Sequence, residues 1–134
     1  MGLPGSGKTW IAERLQKNLE CAWYNADLIR EMANDWDFSP EGRIRQANRM
    51  RTLANFESAN SRIVICDFVC PTKQTRKEFN PDVLIWMDTI SAGRFDDTNR
   101  IFEPPEGDYN YKIIRHLNDG EINKLAEELN NLKL

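Results

Sequence analysis

Apolar positions along the chain follow two rhythms that alternate. Ile11, Leu15 and Leu19 recur at helical spacing, while Glu13, Arg14 and Lys17 lie on other faces. This pattern predicts an amphipathic helix over residues 8–19. Cys21-Ala22-Trp23-Tyr24 is a short apolar run closed by Asn25, which reads as a buried strand. It delivers Asp27 to the carboxyl end of that strand, where open α/β sheets place ligands. Leu28 to Met32 turns helical again, and residues 34–40 form a loop. Ser39 is placed to cap the next helix, with Pro40 at its first position and Glu41 in its first turn. That helix runs to about Ala59, with Ile44, Ala47, Met50 and Ala54 along one face. Arg43, Arg45, Arg49 and Arg51 crowd the remainder, by default a solvated basic face.

The second half repeats the alternation. Arg62 to Cys66 is a β-branched run suited to a buried parallel strand, and Asp67 and a Cys70-Pro71-Thr72 turn follow it. Thr72 to Phe79 reads as a short helix, and Val83 to Met87 as a strand ending at Asp88-Thr89. Residues 90–110 are polar and rich in turn formers, which points to a short functional lid. Tyr111 to Ile114 is an edge-like strand. Asn118 or Asp119 caps a last helix that buries Ile122, Leu125, Ala126, Leu129 and Leu132. Helices alternating with apolar strands predict one α/β domain over 1–134, a doubly wound parallel sheet in a three-layer sandwich.

Candidate chemistry begins at the amino end. Gly2-Leu3-Pro4-Gly5-Ser6-Gly7-Lys8-Thr9 fits G-x-x-x-x-G-K-[ST], the phosphate-binding P-loop. Its glycines let successive N–H groups point inward at a triphosphate. Lys8 reaches the β- and γ-phosphates in such a site, and the Thr9 hydroxyl sits on Mg²⁺. The helix that follows adds the partial positive charge of its N-terminus. Such a loop ordinarily follows a buried strand, yet only Met1 precedes it. The expectation is therefore a P-loop NTPase-like fold whose first strand is truncated.

Composition narrows the classes. A net charge of −3 and a pI of about 5.2 argue against bulk attraction to nucleic acid or anionic membrane. No run of about 18 apolar residues is present, so no membrane span is expected. Cys21, Cys66 and Cys70 lack C-x-x-C spacing and read as free thiols of a reducing cytoplasm. His116 is the only histidine, which argues against histidine-rich metal sites and Ser-His-Asp triads.

The P-loop and its sequel together resemble adenylylsulfate (APS) kinases. Asn25-Ala26-Asp27-Leu28-Ile29-Arg30 is similar to the family's D-G-D-x-[IV]-R. Phe38-Ser39-Pro40-Glu41-Gly42-Arg43 is similar to F-S-x-x-D-R. Phe68-Val69-Cys70-Pro71 followed by Arg76 resembles F-I-S-P-Y-R-x-x-R. Phe95 to Pro105 resembles the lid segment F-T-G-I-D-x-P-Y-E-P-P. These matches run in family order over nearly the whole chain.

The resemblance implies ATP and Mg²⁺ as cofactors, with transfer of the γ-phosphoryl group to the 3′-hydroxyl of APS. Under it, Gly2, Pro4, Gly5, Ser6, Gly7, Lys8 and Thr9 hold the nucleotide, Lys8 and Asp27 are catalytic, and Thr9 serves the metal. Asp27 is the base that accepts the acceptor's proton. Arg30 and Arg43 bind the anionic nucleotide acceptor, and Phe38 and Phe95 sandwich its adenine. Arg76 is a contact or a structural pair. A homodimer is implied by analogy alone. The chain also departs from the pattern: the first acid of D-G-D is Asn25, and the helix stretch E-N-I-R-R aligns with Arg45-Gln46-Ala47-Asn48-Arg49. Ser91-Ala92-Gly93-Arg94 stands in for a longer basic segment before the lid phenylalanine. These departures leave two alternatives open: a kinase for another nucleotide or small hydroxyl compound, and a nucleotide-binding protein with little catalysis.

Overall fold

The computed structural model describes residues 1–132. Helix α1 (Lys8–Leu19) starts where Gly7 adopts φ 97°, a left-handed turn that a side chain would strain. Strand β1 (Ala22–Asn25) leads straight into α2 (Ala26–Ala33). The Asn25 side chain accepts the Leu28 N–H and so caps that helix. Asp27 consequently lies in the first turn of α2, which begins two residues before the Leu28 start that the sequence indicates. Helix α3 (Pro40–Ala59) is capped by Ser39, whose Oγ accepts the Gly42 N–H. Strand β2 (Val64–Asp67) precedes α4 (Lys73–Phe79), which opens on a Thr72/Thr75 capping box. Strand β3 (Ile85–Met87), helix α5 (Asp96–Ile101), strand β4 (Tyr111–Ile113) and helix α6 (Asp119–Asn130) complete the order. Asn118 and Glu121 close a second capping box on α6. That helix ends at Asn130, so Leu132 lies beyond it and is 42% exposed, not buried as the spacing predicts.

The pairing is parallel throughout. β1 pairs with β2, with Asn25 opposite Asp67, and β3 pairs with β4. Side chains alternate between the faces of a strand. On β2, Ile65 packs against the α1 core cluster, while Cys66 Sγ lies 4.0 Å from the Met50 carbonyl on α3. Helices α1 and α3 therefore cover opposite faces, which makes three layers. α6 packs on α1, and α2 and α4 pack on α3. One face holds the cluster of Ile11, Leu15, Met87, Ile113, Ile122, Leu125 and Ala126. On the other face, Met50 is completely buried.

β2 and β3 do not pair with each other. Met1 lies between them: its amino nitrogen donates to the Ile85 carbonyl at 2.8 Å, and its carbonyl accepts the Met87 N–H at 2.9 Å. Gly2 N–H donates across to the Val69 carbonyl at 3.3 Å. The bonds to β3 are those of a parallel ladder. Met1 thus occupies the position of the last residue of a central strand, as the truncated-strand expectation requires.

Candidate nucleotide and acceptor site

The P-loop rests on the carboxyl ends of β2 and β3. A Cβ on Gly2 would lie 2.6 Å from the Met87 carbonyl, so only glycine fits this approach. The Ser6 N–H returns to the Leu3 carbonyl at 3.1 Å, and the Thr89 hydroxyl donates to the Ser6 carbonyl at 2.7 Å. Ser6 Oγ is buried and makes no hydrogen bond among the described residues. The Lys8 ammonium donates to the Leu3 carbonyl at 3.0 Å. Burial lowers its pKa, opposed by the fields of Asp67 and Asp27. Lys8 thus lies half-buried against the backbone of its own loop.

Thr9, Asn25 and Asp67 meet beside it. The Thr9 hydroxyl donates to Asp67 Oδ2 at 3.0 Å, and Asn25 Nδ2 donates to the same oxygen at 3.0 Å. Thr9 and Asp67 are hard oxygen donors of the kind that hold Mg²⁺ together with phosphates and water. The residues present therefore fit that cation. No cluster of three or more His, Cys, Asp or Glu side chains suited to a metal occurs among the described residues.

Next to the loop lies a cavity of about 240 Å³, lined by residues that include Gly5, Gly7, Trp10, Thr89, His116 and Leu117. Trp10 and His116 form its aromatic wall, ring centroids 4.1 Å apart, and the Arg14 guanidinium covers Trp10 at 3.9 Å. Sequence reasoning missed this wall. Trp10 sits in α1 and His116 just beyond β4, and only the fold joins them.

The acceptor-side residues divide. Arg30, Phe38 and Arg43 come together: the Phe38 ring is half-exposed, with the Arg30 guanidinium 4.3 Å and that of Arg43 5.3 Å from its centre. Arg30 is buried and donates to the Asp35 and Asp37 carbonyls at 3.0 and 3.2 Å, so it also holds the 34–39 loop. Arg43 Nε donates to the Phe38 carbonyl at 3.0 Å. Burial lowers the pKa of both arginines, with Asp35 foremost in opposing it at Arg30 and Asp97 at Arg43. Asp27 is exposed on α2, one turn from Arg30. Phe95 is half-exposed at the start of α5, with Arg94 5.3 Å from its ring centre. The lid meets the P-loop at Gly93, where a Cβ would lie 2.9 Å from the Pro4 carbonyl oxygen.

The arginines of α3 are not a plain solvated face. Arg45 and Arg49 both grip Asp35 at 2.8 Å, and Arg45 also holds Asp37 at 3.0 Å. Arg51 donates to the Phe79 and Asn80 carbonyls. Gln46, aligned with a family asparagine, donates to the Ala26 carbonyl at 3.1 Å and ties α3 to the start of α2. Arg76 is structural: it is buried and donates to the Cys70 and Glu103 carbonyls at 3.0 and 2.7 Å, anchoring the end of the lid.

The chain is similar to several known proteins. The sequence model of a family described as "AAA domain" matches residues 1–98. A probable adenylyl-sulfate kinase of Aeropyrum pernix is 39% identical over 84 residues, covering 56% of this chain and 44% of that protein. An adenylyl-sulfate kinase of Halothermothrix orenii is 28% identical over 82 residues, covering 57% of this chain and 44% of its own length. The matched region thus spans less than half of these curated relatives. The structure of Mycobacterium tuberculosis APS kinase CysC in complex with AMPPNP and APS superimposes with a TM-score of 0.75 at 17% identity, covering 96% of this chain and 91% of that one. An unliganded sugar kinase from Janibacter sp. gives 0.71 at 16% identity, covering 96% and 90%. At those identities the two structures establish the P-loop fold alone. No helix among the described residues is long and apolar enough to cross a membrane. The chain belongs to the AAA domain family, and in sequence and fold it resembles the adenylyl-sulfate kinases.

Proposed function

We propose that the chain is an ATP-dependent kinase of the adenylyl-sulfate kinase type, transferring the γ-phosphoryl group to the 3′-hydroxyl of APS. The observation that carries the reading is the Arg30–Phe38–Arg43 group with Asp27 one turn from Arg30, on a helix whose capping residue Asn25 meets Thr9 of the P-loop. Phosphoryl transfer needs positioning and charge neutralisation more than covalent help from the protein. The loop amides and Lys8 grip the triphosphate, and the cavity beside Trp10 and His116 takes the donor base. The Phe38 ring stacks on the acceptor base while Arg43 faces its anionic groups, and Phe95 brings the lid down on the other side. Asp27 accepts the hydroxyl proton as the acceptor oxygen bonds to the γ-phosphorus. The bond between that phosphorus and the β–γ bridging oxygen breaks, and its electron pair leaves with ADP. Thr9 would hold Mg²⁺, which would supply neutralisation of the charge on the nucleotide's phosphates.

A second reading is a kinase for a different small hydroxyl compound. It is favoured by the short Ser91–Arg94 segment and by Gln46, which is occupied with the Ala26 carbonyl and Arg49 and so is not free for an acceptor. A coupled ADP-release assay across APS, nucleosides and sugars separates the two. ADP release that depends on APS supports the first reading. Release with a nucleoside or sugar and none with APS transfers the conclusion to the second. ATP binding without acceptor-dependent ADP from any of them leaves a nucleotide-binding protein with little catalysis. Assembly as a homodimer and residence in the cytoplasm accompany the first reading as proposals of the same standing, checked by light scattering and by fractionation.

A further inference from the structure

The segment that follows β3 runs along the P-loop. The Thr89 hydroxyl donates to the Ser6 carbonyl at 2.7 Å. A Cβ on Gly5 would lie 3.9 Å from Ile90 Cδ1, and one on Gly93 would lie 2.9 Å from the Pro4 carbonyl oxygen. Residues 89, 90 and 93 thus meet residues 6, 5 and 4 in turn. A trans peptide directs its C=O and its N–H to opposite sides. With the Pro4 and Ser6 carbonyls against this segment, the Gly5 and Gly7 N–H groups point away from it. Neither N–H donates to a backbone carbonyl among the described residues. Asn99 on α5 fixes the far end of the segment: its Oδ1 accepts the Gly93 N–H at 2.8 Å, and its Nδ2 donates to the Gly93 carbonyl at 2.9 Å. Helix α5 is itself pinned just beyond its end. The Glu103 N–H donates to the Pro71 carbonyl at 2.7 Å, and the Glu103 carbonyl accepts from Arg76 at 2.7 Å.

We propose that Asn99 is a positioning residue for the phosphate site: its clasp on Gly93 holds residues 89–93 against the P-loop and keeps the Gly5 and Gly7 N–H groups turned to the side where phosphate oxygens bind. The inference rests on the nucleotide-site reading above and deepens it. The loop is braced before ATP arrives, so less of the binding free energy goes into ordering it. The shortness of the segment serves the same end. Only Ser91 and Ala92 separate Ile90 from Gly93, which leaves little slack between the two contacts. A side chain at position 93 has no room beside Pro4, and the amide of Asn99 offers both the acceptor and the donor that one residue's backbone requires.

Hydrogen exchange of the full chain without nucleotide, read over residues 2–7, tests the brace, and calorimetric titration with ATP tests its consequence. In Asn99→Ala, exchange over residues 2–7 is expected to rise about tenfold while the amides of α6 keep their wild-type rates. The Kd for ATP is expected to weaken about five- to tenfold in the same variant. Asn99→Asp keeps the acceptor for the Gly93 N–H and loses the donor to its carbonyl, so both readouts fall between wild type and Asn99→Ala. Arg100→Ala, beside it on α5 and outside the clasp, is expected to match wild type. If Asn99→Ala does not fold, Gly93→Ala carries the test, because its Cβ displaces Pro4 and weakens ATP binding to a similar extent. Exchange and Kd within about twofold of wild type in folded Asn99→Ala overturn the proposal. So does a rise in exchange spread evenly over every helix, which marks a general loss of stability. A wild-type chain that binds no ATP sinks the nucleotide-site reading instead, and the exchange measurement still decides whether the clasp orders the loop.

Discussion

Lys8 and Asp27 are expected to meet different fates on substitution. Lys8 is half-buried and donates to a loop carbonyl, and under the proposed kinase reading its charge serves the phosphate oxygens. Lys8→Ala is expected to lower kcat by about 10³-fold, the scale seen when a preorganised donor to developing charge is lost. Asp27 is exposed, and removal of its basicity in Asp27→Asn is expected to lower kcat by about 10²-fold with little change in ATP affinity. Steady-state kinetics with the acceptor found by the ADP screen check both, and an unchanged kcat in Asp27→Asn removes it from the base role. Arg30 behaves differently again. Its Nη1 serves two carbonyls of the 34–39 loop and its plane lies on Phe38, a geometry lysine does not reproduce. Arg30→Lys is expected to cost about 1–3 kcal/mol through carbonyls left without donors. Thermal melting reads this directly, and an unaltered Tm would assign Arg30 to ligand contact alone.

At the scale of elements, the loop between α2 and α3 is held by charge and the α1–α6 face by packing. Arg45 and Arg49 donate to Asp35 and hold its carboxyl well below the usual carboxylate range. A depressed folded pKa stabilises the fold above the unfolded carboxylate value of about 4 and loses that contribution as pH falls through the folded value. Melting curves recorded from neutral pH down to about pH 3 are therefore expected to fall more steeply for wild type than for Asp35→Asn. Parallel curves would dissociate Asp35 from acid stability. On the packed face, Ile122 is completely buried among Ile11, Leu15 and Leu125. Ile122→Ala is expected to cost about 2–5 kcal/mol in denaturant unfolding.

The same scale shows what the residues disclose before folding. Helices α1, α3 and α6 were legible because apolar spacing and polar caps agree: Ser39 and Asn118 stand where the structure uses them. The P-loop was legible because its glycines and lysine serve local backbone geometry. The Trp10–His116 wall, the Asn25–Asp67 pair and the Asp35 hub were not. Each depends on strand register or on a helix crossing, and neither leaves a trace in residue spacing. The α3 arginines misled for the same reason, since a periodic basic face looks alike whether it meets water or Asp35.

For the whole molecule, the two half-sheets are the feature that spacing alone does not weigh. β1–β2 and β3–β4 are each parallel pairs, and parallel sheets are ordinarily buried on both faces and paired on both edges. Here the facing edges of β2 and β3 are bridged by Met1 and Gly2 among the described residues, and β1 and most of β2 are only half-buried. Cohesion between the halves falls on α1, whose Ile11 and Leu15 join a cluster shared with Met87 of β3 and flanked by Ile65 of β2. An apolar, β-branched segment of about five residues fused ahead of Met1 has the length of an ordinary strand, and Met1 already shows the parallel register it would continue. Its backbone N–H and C=O groups find partners on both edges, and its side chains enter the layers beneath α1 and α3. The fusion is expected to add at least about 1 kcal/mol of net stability, read as a Tm rise of roughly 4 °C. A scrambled control with Pro at its centre, unable to donate into the ladder, is expected to add nothing. If both fusions raise Tm equally, the facing edges are not what limits stability; if only the strand-forming one does, the P-loop gains the support on which its grip on a triphosphate depends.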